Sequence, residues 1–327
     1  MIACDVRLER WAMKEPFEIA REVITEQPVL SLRLSDGRGH SGVAEAAGVD
    51  YDGETPASMA RQIGAAQPHL HDGITGEELL ALLPAGGARN AIDCALWDLR
   101  AKQSGVPAWQ SAGLPGLLPV TTVFTIGLGD EAGTRRKLRQ ARQFPLIKLK
   151  LDAQRHRAVL QWAREEHPAA RLLVDANQAW SRPLLEELLP LLLAAGVELI
   201  EQPMARGADS ALAGLDSPIP LAADESCSDR ASLAALAGLY DCVNIKLDKC
   251  GGLTEGLAML SSARQLGLGL MVGNMCGSSL AMAPAFLLAQ SCRYSDLDGP
   301  LLQQRDSAVP LHYDGAVIQP PPAALWG

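Results

Sequence analysis

The rhythm of apolar and polar residues changes twice along this chain. Up to about residue 50 the two alternate with period two, most clearly in VLSLRLSDGRGHSGVAEA (29–46), where Asp36-Gly37 separates two alternating runs. Period two marks half-buried strands, and an Asp-Gly step between two of them predicts a β-hairpin. From residue 55 to about 112 the period lengthens to that of a helix. Thr55-Pro56 reads as an N-cap followed by proline in the first helical position. In ARNAIDCALWDLRAKQSG (88–105), Ile92, Ala95, Leu96 and Leu99 share one stripe, and Gly105 stands where a C-cap belongs. The first third is predicted as an α+β unit, an antiparallel meander followed by a small helical bundle.

From Pro119 onward, short apolar runs alternate with amphipathic helical stretches. The runs are VTTVFTIG, LIKLKLD, RLLVDAN, ELIEQP, PLAADES, CVNIKLD, LGLMVGN and YSDLDGP, and equivalent points in them recur every 22 to 27 residues. A strand, a helix and two loops need about that length, so the repeat predicts a parallel sheet of βα units. Eight units with continuous apolar strands predict a closed barrel. The expected class is α/β, a (β/α)8-type barrel over 119–300 preceded by the α+β domain over 1–118. Residues 301–327, with Pro320, Pro321 and Pro322 and no helical period, are expected to return and pack on the first domain.

Several of these runs end in a charged residue. Lys150, Asp175, Glu201, Asp224 and Lys246 close the second to the sixth, and barrels present their catalytic groups at the C-terminal ends of different strands. Residues i and i+2 of a strand point the same way, which pairs Lys148 with Lys150, Asp175 with Asn177, Lys246 with Asp248, and Asp296 with Asp298. In a ring of eight, strands two and six are opposite, as are strands four and eight. Asp175, Glu201 and Asp224 therefore converge on one side, as oxygen ligands for Mg2+, with Mn2+ as the alternative. A substrate carboxylate on that cation brings its α-carbon between Lys150 and Lys246. Asp296 and Asp298, at the far end, suit an ammonium group. Loss of a proton beside a carboxylate leaves an enediolate dianion, which a cation neutralises and Lys148 supports with a further charge. One lysine removes the proton and the other returns one to the opposite face, so the carbon is inverted. That is the chemistry of a racemase or epimerase.

The net charge of −9 argues against nucleic acid and anionic membranes as partners, since both need clustered cations. The basic stretch Arg135, Arg136, Lys137 and Arg139 reads as a solvated helix face. No apolar run approaches the ~18 residues of a membrane span, and the N-terminus has no signal-peptide pattern. Seven scattered cysteines without a CxxC pair suit free thiols in a reducing cytoplasm. The expected partner is a small-molecule substrate; a homo-oligomer is compatible with the sequence.

The chain resembles the enolase superfamily, in its muconate-lactonising subgroup, over essentially its whole length. LIKLKLD is similar to that subgroup's K-x-K strand, VDAN, EQP and ADES to its three ligand strands, NIKLDKCGGLTE to the strand of the second lysine, and ARNAIDCALWDLRAK to the helix before the barrel. Enolase-superfamily sites pair a Lys or His base with Mg2+. The resemblance implies an enolase-like barrel with a capping domain, Mg2+ on Asp175, Glu201 and Asp224, and acid/base roles for Lys150 and Lys246 with Lys148 in support. Asn177 and Glu225 would orient their neighbours, and Asp248 would pair with Lys246 or Lys249. Within the subgroup, an aspartate pair ending the eighth strand marks the dipeptide epimerases, and YSDLDGP fits. The implied substrate is a dipeptide: L-Ala-D-Glu, converted to L-Ala-L-Glu in peptidoglycan peptide metabolism. PFEIAREV resembles the capping loop whose arginine, here Arg21, contacts the glutamate side chain, and YDGET (51–55) resembles the second mobile loop. N-acylamino-acid racemases and o-succinylbenzoate synthase-like lyases share the scaffold but need no ammonium site, so Asp296 and Asp298 count against them. A non-catalytic, metal-dependent peptide-binding protein would be marked by loss of a lysine or ligand, and all are present.

Overall fold

The computed structural model describes residues 2–19, 22–71 and 73–327, so Arg21 lies outside the described residues. The chain opens with an antiparallel sheet in the order β1 (Ala3–Glu18), β2 (Val23–Ser35), β3 (Ser41–Ala46). The predicted hairpin is present, with Ser35 opposite Ser41 and Leu30 opposite Ala46. Its turn is organised by Asp36, whose Oδ1 accepts the N–H groups of Arg38 and His40 at 2.7 and 3.1 Å.

Four helices follow: α1 (Pro56–Ala66), α2 (Gly76–Leu82), α3 (Gly87–Ser104) and α4 (Ala108–Ser111). Thr55 caps α1 by accepting from Ser58 N–H, and Gly105 ends α3 in the left-handed region at φ 70°. The single apolar stripe expected of α3 is only part of what is buried. Arg89, Asn90, Asp93 and Asp98 are buried as well. Each has a partner on a flanking element. Asp98 Oδ2 accepts Val43 N–H at 2.8 Å, Asp93 Oδ2 accepts Thr254 N–H at 2.8 Å, and Arg89 Nη2 donates to Cys250 O at 2.6 Å. The helix is wedged between the N-terminal sheet and the barrel, so its polar residues bind backbone groups on either side.

The barrel strands are β5 (Phe124–Ile126), β6 (Leu146–Lys150), β7 (Arg171–Asp175), β8 (Val197–Glu201), β9 (Leu221–Ala223), β10 (Cys242–Lys246), β11 (Gly269–Gly273) and β12 (Tyr294–Ser295), parallel and paired in sequence order. The two edges of this sheet meet where Val123 N–H donates to Ser295 O at 2.8 Å. Between the strands run α5 (Glu131–Gln140), α6 (His156–Glu166), α7 (Arg182–Ala194), α8 (Arg230–Leu236), α9 (Leu247–Cys250), α10 (Leu253–Gln265) and α11 (Ser279–Ala289); α12 (Gly299–Leu302) follows β12. The run VTTVFTIG is not one strand. Its first part, β4 (Val120–Thr121), pairs antiparallel with β14 (Val317–Ile318), itself in a hairpin with β13 (Tyr313–Asp314). The chain end returns to α3: Trp326 Nε1 donates to Cys94 O at 3.0 Å and Gly327 N to Asp98 Oδ1 at 2.8 Å.

All seven cysteines are free thiols. Among the described residues no helix is long and apolar enough to cross a membrane. On the basic face of α5, Arg136 and Arg139 are exposed, while Arg135 lies over the Trp162 ring and pairs with Glu131, Glu165 and Glu166.

The N-terminal sheet is fastened to the barrel through Glu45. Its carboxylate accepts Ser278 N–H at 2.6 Å, Ser278 Oγ–H at 2.8 Å and Trp11 Nε1–H at 3.0 Å. Burial pushes this carboxyl up to about 7, although those hydrogen bonds favour its charged form. A carboxyl raised in the folded state binds its proton more tightly there than in the unfolded chain, so stability falls as pH rises from about 4.5 to about 7. Glu45→Gln should remove that slope. The stability difference between variant and wild type, from urea titrations, should grow in the variant's favour across this window; parallel curves would refute the shift.

Candidate active site

The barrel is closed below by one inward residue from each repeat: Val123, Leu146, Leu173, Leu199, Ala222, Cys242, Met271 and Tyr294 pack together as an apolar floor. Two residues further along each segment come Thr125, Lys148, Asp175, Glu201, Asp224, Asn244, Gly273 and Asp296. The period-two rule that buries the floor thus sets a polar layer directly above it. Another two residues on stand Lys150, Asn177, Lys246 and Asp298. The two outer lysines therefore sit one layer above the three carboxylates.

Side-chain contacts knit these layers into one cluster. Lys150 Nζ lies 2.6 Å from Asp175 Oδ2, and Lys246 Nζ lies 2.7 Å from Asp224 Oδ2. Lys148 is central, with Nζ 3.1 Å from Asp175 Oδ2, 2.8 Å from Glu201 Oε2 and 2.8 Å from Asp296 Oδ2. Charge follows this geometry. Burial opposes ionisation of Asp175 and Asp224, yet the lysines outweigh it: Lys150 and Lys148 hold Asp175 down at about 2, and Lys246 and Lys249 hold Asp224 far below its ordinary value. Burial likewise opposes the charge on Lys148 and Lys246, but the carboxylates around each raise both above the usual lysine range. Glu201 goes the other way. Burial and the Asp175 charge push it up to about 7.

Asp175, Glu201 and Asp224 each place an oxygen within 4.8 Å of the others, and all three are buried. The donor set is entirely hard oxygen, as a Mg2+-type cation requires. Burial first, and then the Asp175 charge, disfavour an ionised Glu201, and a cation bound among the three oxygens would offset both. The residues fit a divalent metal.

Some expected neighbours are placed differently. Asp248 shares no face with Lys246, because β10 ends at Lys246 and Asp248 begins the turn of α9. It pairs with neither Lys246 nor Lys249; its Oδ1 accepts Gly48 N–H at 2.9 Å, and both lysines go to Asp224. Asp296 and Asp298 adjoin each other, but Asp296 is held by Lys148, and Asp298 Oδ2 accepts Thr125 N–H at 2.7 Å. Burial and the Asp296 charge push Asp298 up to about 8. Asn177 Nδ2 reaches Glu225 Oε1 at 3.4 Å, at the rim of the cluster.

Three residues not picked out from the sequence belong here. Asn244 Nδ2 donates to Glu201 Oε1 at 3.0 Å; its position two before Lys246 on an inward face was the signal. Buried Lys249 donates to Asp224 Oδ1 at 2.5 Å and to Asn244 O at 3.0 Å. Gln202, at φ 37°, accepts Asp224 N–H on Oε1 at 2.9 Å and donates from Nε2 to Tyr240 Oη at 3.1 Å. A lysine or glutamine past a strand end carries no pattern that separates it from a solvated one.

Above the cluster lies a cavity of about 410 Å3. Its barrel wall includes Lys150, Asn177, Asp224, Glu225, Lys246 and Asn274, and its roof comes from Phe17, Ile19, residues 22–28 and the segment from Ala47 to Pro56. Lys148, Asp175, Glu201, Asp296 and Asp298 are buried and do not line it. The roof segment is tied to the barrel rim by Arg206, which grips Asp52 at 2.6 and 3.0 Å and lies over the Tyr51 ring.

A capping α+β unit over a barrel with acids and lysines in layers defines an enolase-like enzyme. Residues 131–323 match the profile described as enolase C-terminal domain-like, and residues 1–113 match the mandelate racemase/muconate lactonizing enzyme N-terminal domain. The chain belongs to this family, on its dipeptide-epimerase branch, and is an isomerase. It is 40% identical to L-Ala-D/L-Glu epimerase of Escherichia coli, over 89% of this chain and 91% of that one. It is 43% identical to N-acetyl-D-glutamate racemase of a Pseudoalteromonas species, over 76% and 79%. A crystal structure of an enolase family member from Agrobacterium tumefaciens, homologous to dipeptide epimerases and holding sodium and L-Ala-L-Glu, superposes with a TM-score of 0.96 at 39% identity, covering 100% of both chains. Dipeptide epimerase from Methylococcus capsulatus, holding Mg and L-Arg-D-Lys, gives 0.87 at 29% identity, covering 97% of this chain and 96% of that one.

Gly273 provides a test of how tightly the second lysine is held. A Cβ there would lie 2.7 and 2.8 Å from the Asn244 amide and 3.0 Å from Lys246 Cε. Gly273→Ala should displace both and lower the rate of α-proton exchange on the order of 100-fold, the scale of a 1 Å misplacement. Thermal unfolding should shift by only a few degrees. Full activity in the variant would mean that Lys246 tolerates displacement.

Proposed function

We propose that this chain inverts the α-carbon of the C-terminal residue of a dipeptide, interconverting L-Ala-D-Glu and L-Ala-L-Glu, and that it serves peptidoglycan peptide metabolism in the cytoplasm. The observation that carries the reading is the placement of Lys150 and Lys246. They stand on strands four apart in a ring of eight, and both line one cavity. A substrate α-carbon between them has a proton donor on each face. Lys150 takes the proton from one configuration while Lys246 supplies one to the other side; in the reverse direction the roles exchange.

Asp175, Glu201 and Asp224 would hold Mg2+, or Mn2+ in its place. Bound there, the cation supplies positive charge to the substrate carboxylate as its α-proton becomes acidic. Lys148, buried among the same carboxylates, adds charge at the floor of the site and cannot itself reach the cavity. Asn177 and Glu225 frame the mouth beside Asp224. Asp296 and Asp298 are assigned to the substrate ammonium and Arg21 to the glutamate side chain. The L-Ala-L-Glu held by the Agrobacterium structure and the epimerase activity of the Escherichia coli relative support that choice of substrate.

A second reading rests on the aspartate pair. Asp296 is already paired with Lys148, and Asp298, raised to about 8, is largely uncharged at neutral pH. A site in that condition suits an uncharged N-acyl group, as in the Pseudoalteromonas N-acetyl-D-glutamate racemase.

Proton NMR in D2O with Mg2+ separates the two. Loss of the glutamyl α-proton of L-Ala-L-Glu, together with appearance of L-Ala-D-Glu, is the expected result. Exchange of N-acetyl-D-glutamate with a higher kcat/KM than the dipeptide would move the assignment to the second reading. Exchange of neither would refute both.

A further inference from the structure

Each of the three clustered carboxylates has one oxygen occupied by a fixed donor. Asp175 Oδ1 accepts the backbone N–H of Asn177 at 2.8 Å. Glu201 Oε1 accepts Nδ2 of Asn244 at 3.0 Å. Asp224 Oδ1 accepts Nζ of Lys249 at 2.5 Å. These donors have little freedom to move aside. Asn177 is set in a left-handed turn at φ 41°. Asn244 is wholly buried on β10. Lys249 is 5% exposed and is anchored at two further points, the carbonyl oxygens of Asp224 and Asn244. On the other oxygens, Asp175 Oδ2 meets Lys150 and Asp224 Oδ2 meets Lys246. Lys148 Nζ lies 2.8 Å from Glu201 Oε2 but donates to Oε1 at 3.0 Å, which leaves the buried Oε2 without a hydrogen bond among the described residues.

We infer that Lys249 and Asn244, with the Asn177 N–H, are positioning groups that confine each carboxylate to one oxygen toward a cation and thereby select a small ion. The physical ground is coordination number. Ca2+ gathers about six to eight oxygens at longer range and commonly takes both oxygens of a carboxylate, whereas Mg2+ takes six in a strict octahedron and keeps waters. Three acids that can each offer a single oxygen suit the second ion and starve the first. Lys249 has the greatest leverage, since it alone is a side chain whose charge fixes Asp224 from behind. A purely structural lysine would tie α9 to β9 with no bearing on which ion binds. This inference rests on the metal assignment proposed above and adds to it the origin of its selectivity.

The test uses the full chain and Mn2+ as a spectroscopic probe. Bound Mn2+ is read by its EPR signal, and Mg2+ and Ca2+ are titrated as competitors, giving the ratio of their affinities independently of turnover. In Lys249→Met, which keeps most of the stem's packing, the Ca2+ to Mg2+ ratio should rise about tenfold, within the range typical for loss of a group that orients a metal ligand. Asn244→Ala should move the ratio the same way through Glu201, and it carries the test if the first variant does not fold. A ratio unchanged within about twofold, with both competitors shifted together, would show that the donors act only through bulk charge and would overturn the inference. Wild-type chain that holds no Mn2+ would overturn the metal assignment itself, a distinct result.

Discussion

Mutual neutralisation of buried charge is the constraint on which this structure turns. Asp175, Glu201, Asp224 and Asp296 lie inside the barrel with Lys148, Lys150, Lys246 and Lys249, and none of the eight is more than 9% exposed. A lone buried charge of either sign costs several kcal/mol, whereas a paired one approaches balance. The acids therefore require the lysines as much as the lysines require the acids. Lys148 joins the halves of this network, reaching three carboxylates from three different repeats. The arrangement does little for net stability, but it leaves each side chain one orientation. Catalysis by two opposed bases needs that restriction, since its rate depends on where the reacting atoms sit.

The apolar floor makes such a cluster affordable to the fold. One residue from each repeat closes the lower barrel and sets a buried apolar layer beneath the ion pairs. The capping unit covers them from above, with its roof pinned at Arg206 and its sheet pinned at Glu45. The cavity between the two units is lined on its barrel side by Lys150, Lys246, Asp224 and the rim residues. Burying the polar layer one step below the cavity keeps its charges strong and its geometry fixed.

Much of this was legible in the sequence because barrels obey a simple rule. Period two along a strand puts every second residue inside, so Lys148, Asp175 and Glu201 could be assigned to one interior from spacing alone. The rule fails where the strand stops. Asp248 lies beyond the end of β10 and belongs to α9, where it binds the Gly48 backbone, so the period that pairs it with Lys246 does not apply. The contact of Lys249 with Asp224 is hidden for the same reason: the turn into α9 swings the lysine back onto that carboxylate, which no strand period foretells. The stripe on α3 was correct as far as it went, but Asp93 and Asp98 are buried by tertiary partners far away in the chain. The split of the first barrel run at Thr122 depends on Val317 and Ile318, almost 200 residues later, and is equally invisible locally.

The central claim is that the two lysines work on opposite faces of one carbon. Its most direct test is α-proton exchange in D2O with Lys150→Ala and Lys246→Ala, each offered L-Ala-L-Glu and L-Ala-D-Glu separately. Each variant keeps one base, so each should exchange the proton of one configuration only, the two variants choosing opposite ones, and neither should epimerise. A single variant that exchanges both configurations, or two variants that favour the same one, would contradict the opposed-lysine geometry.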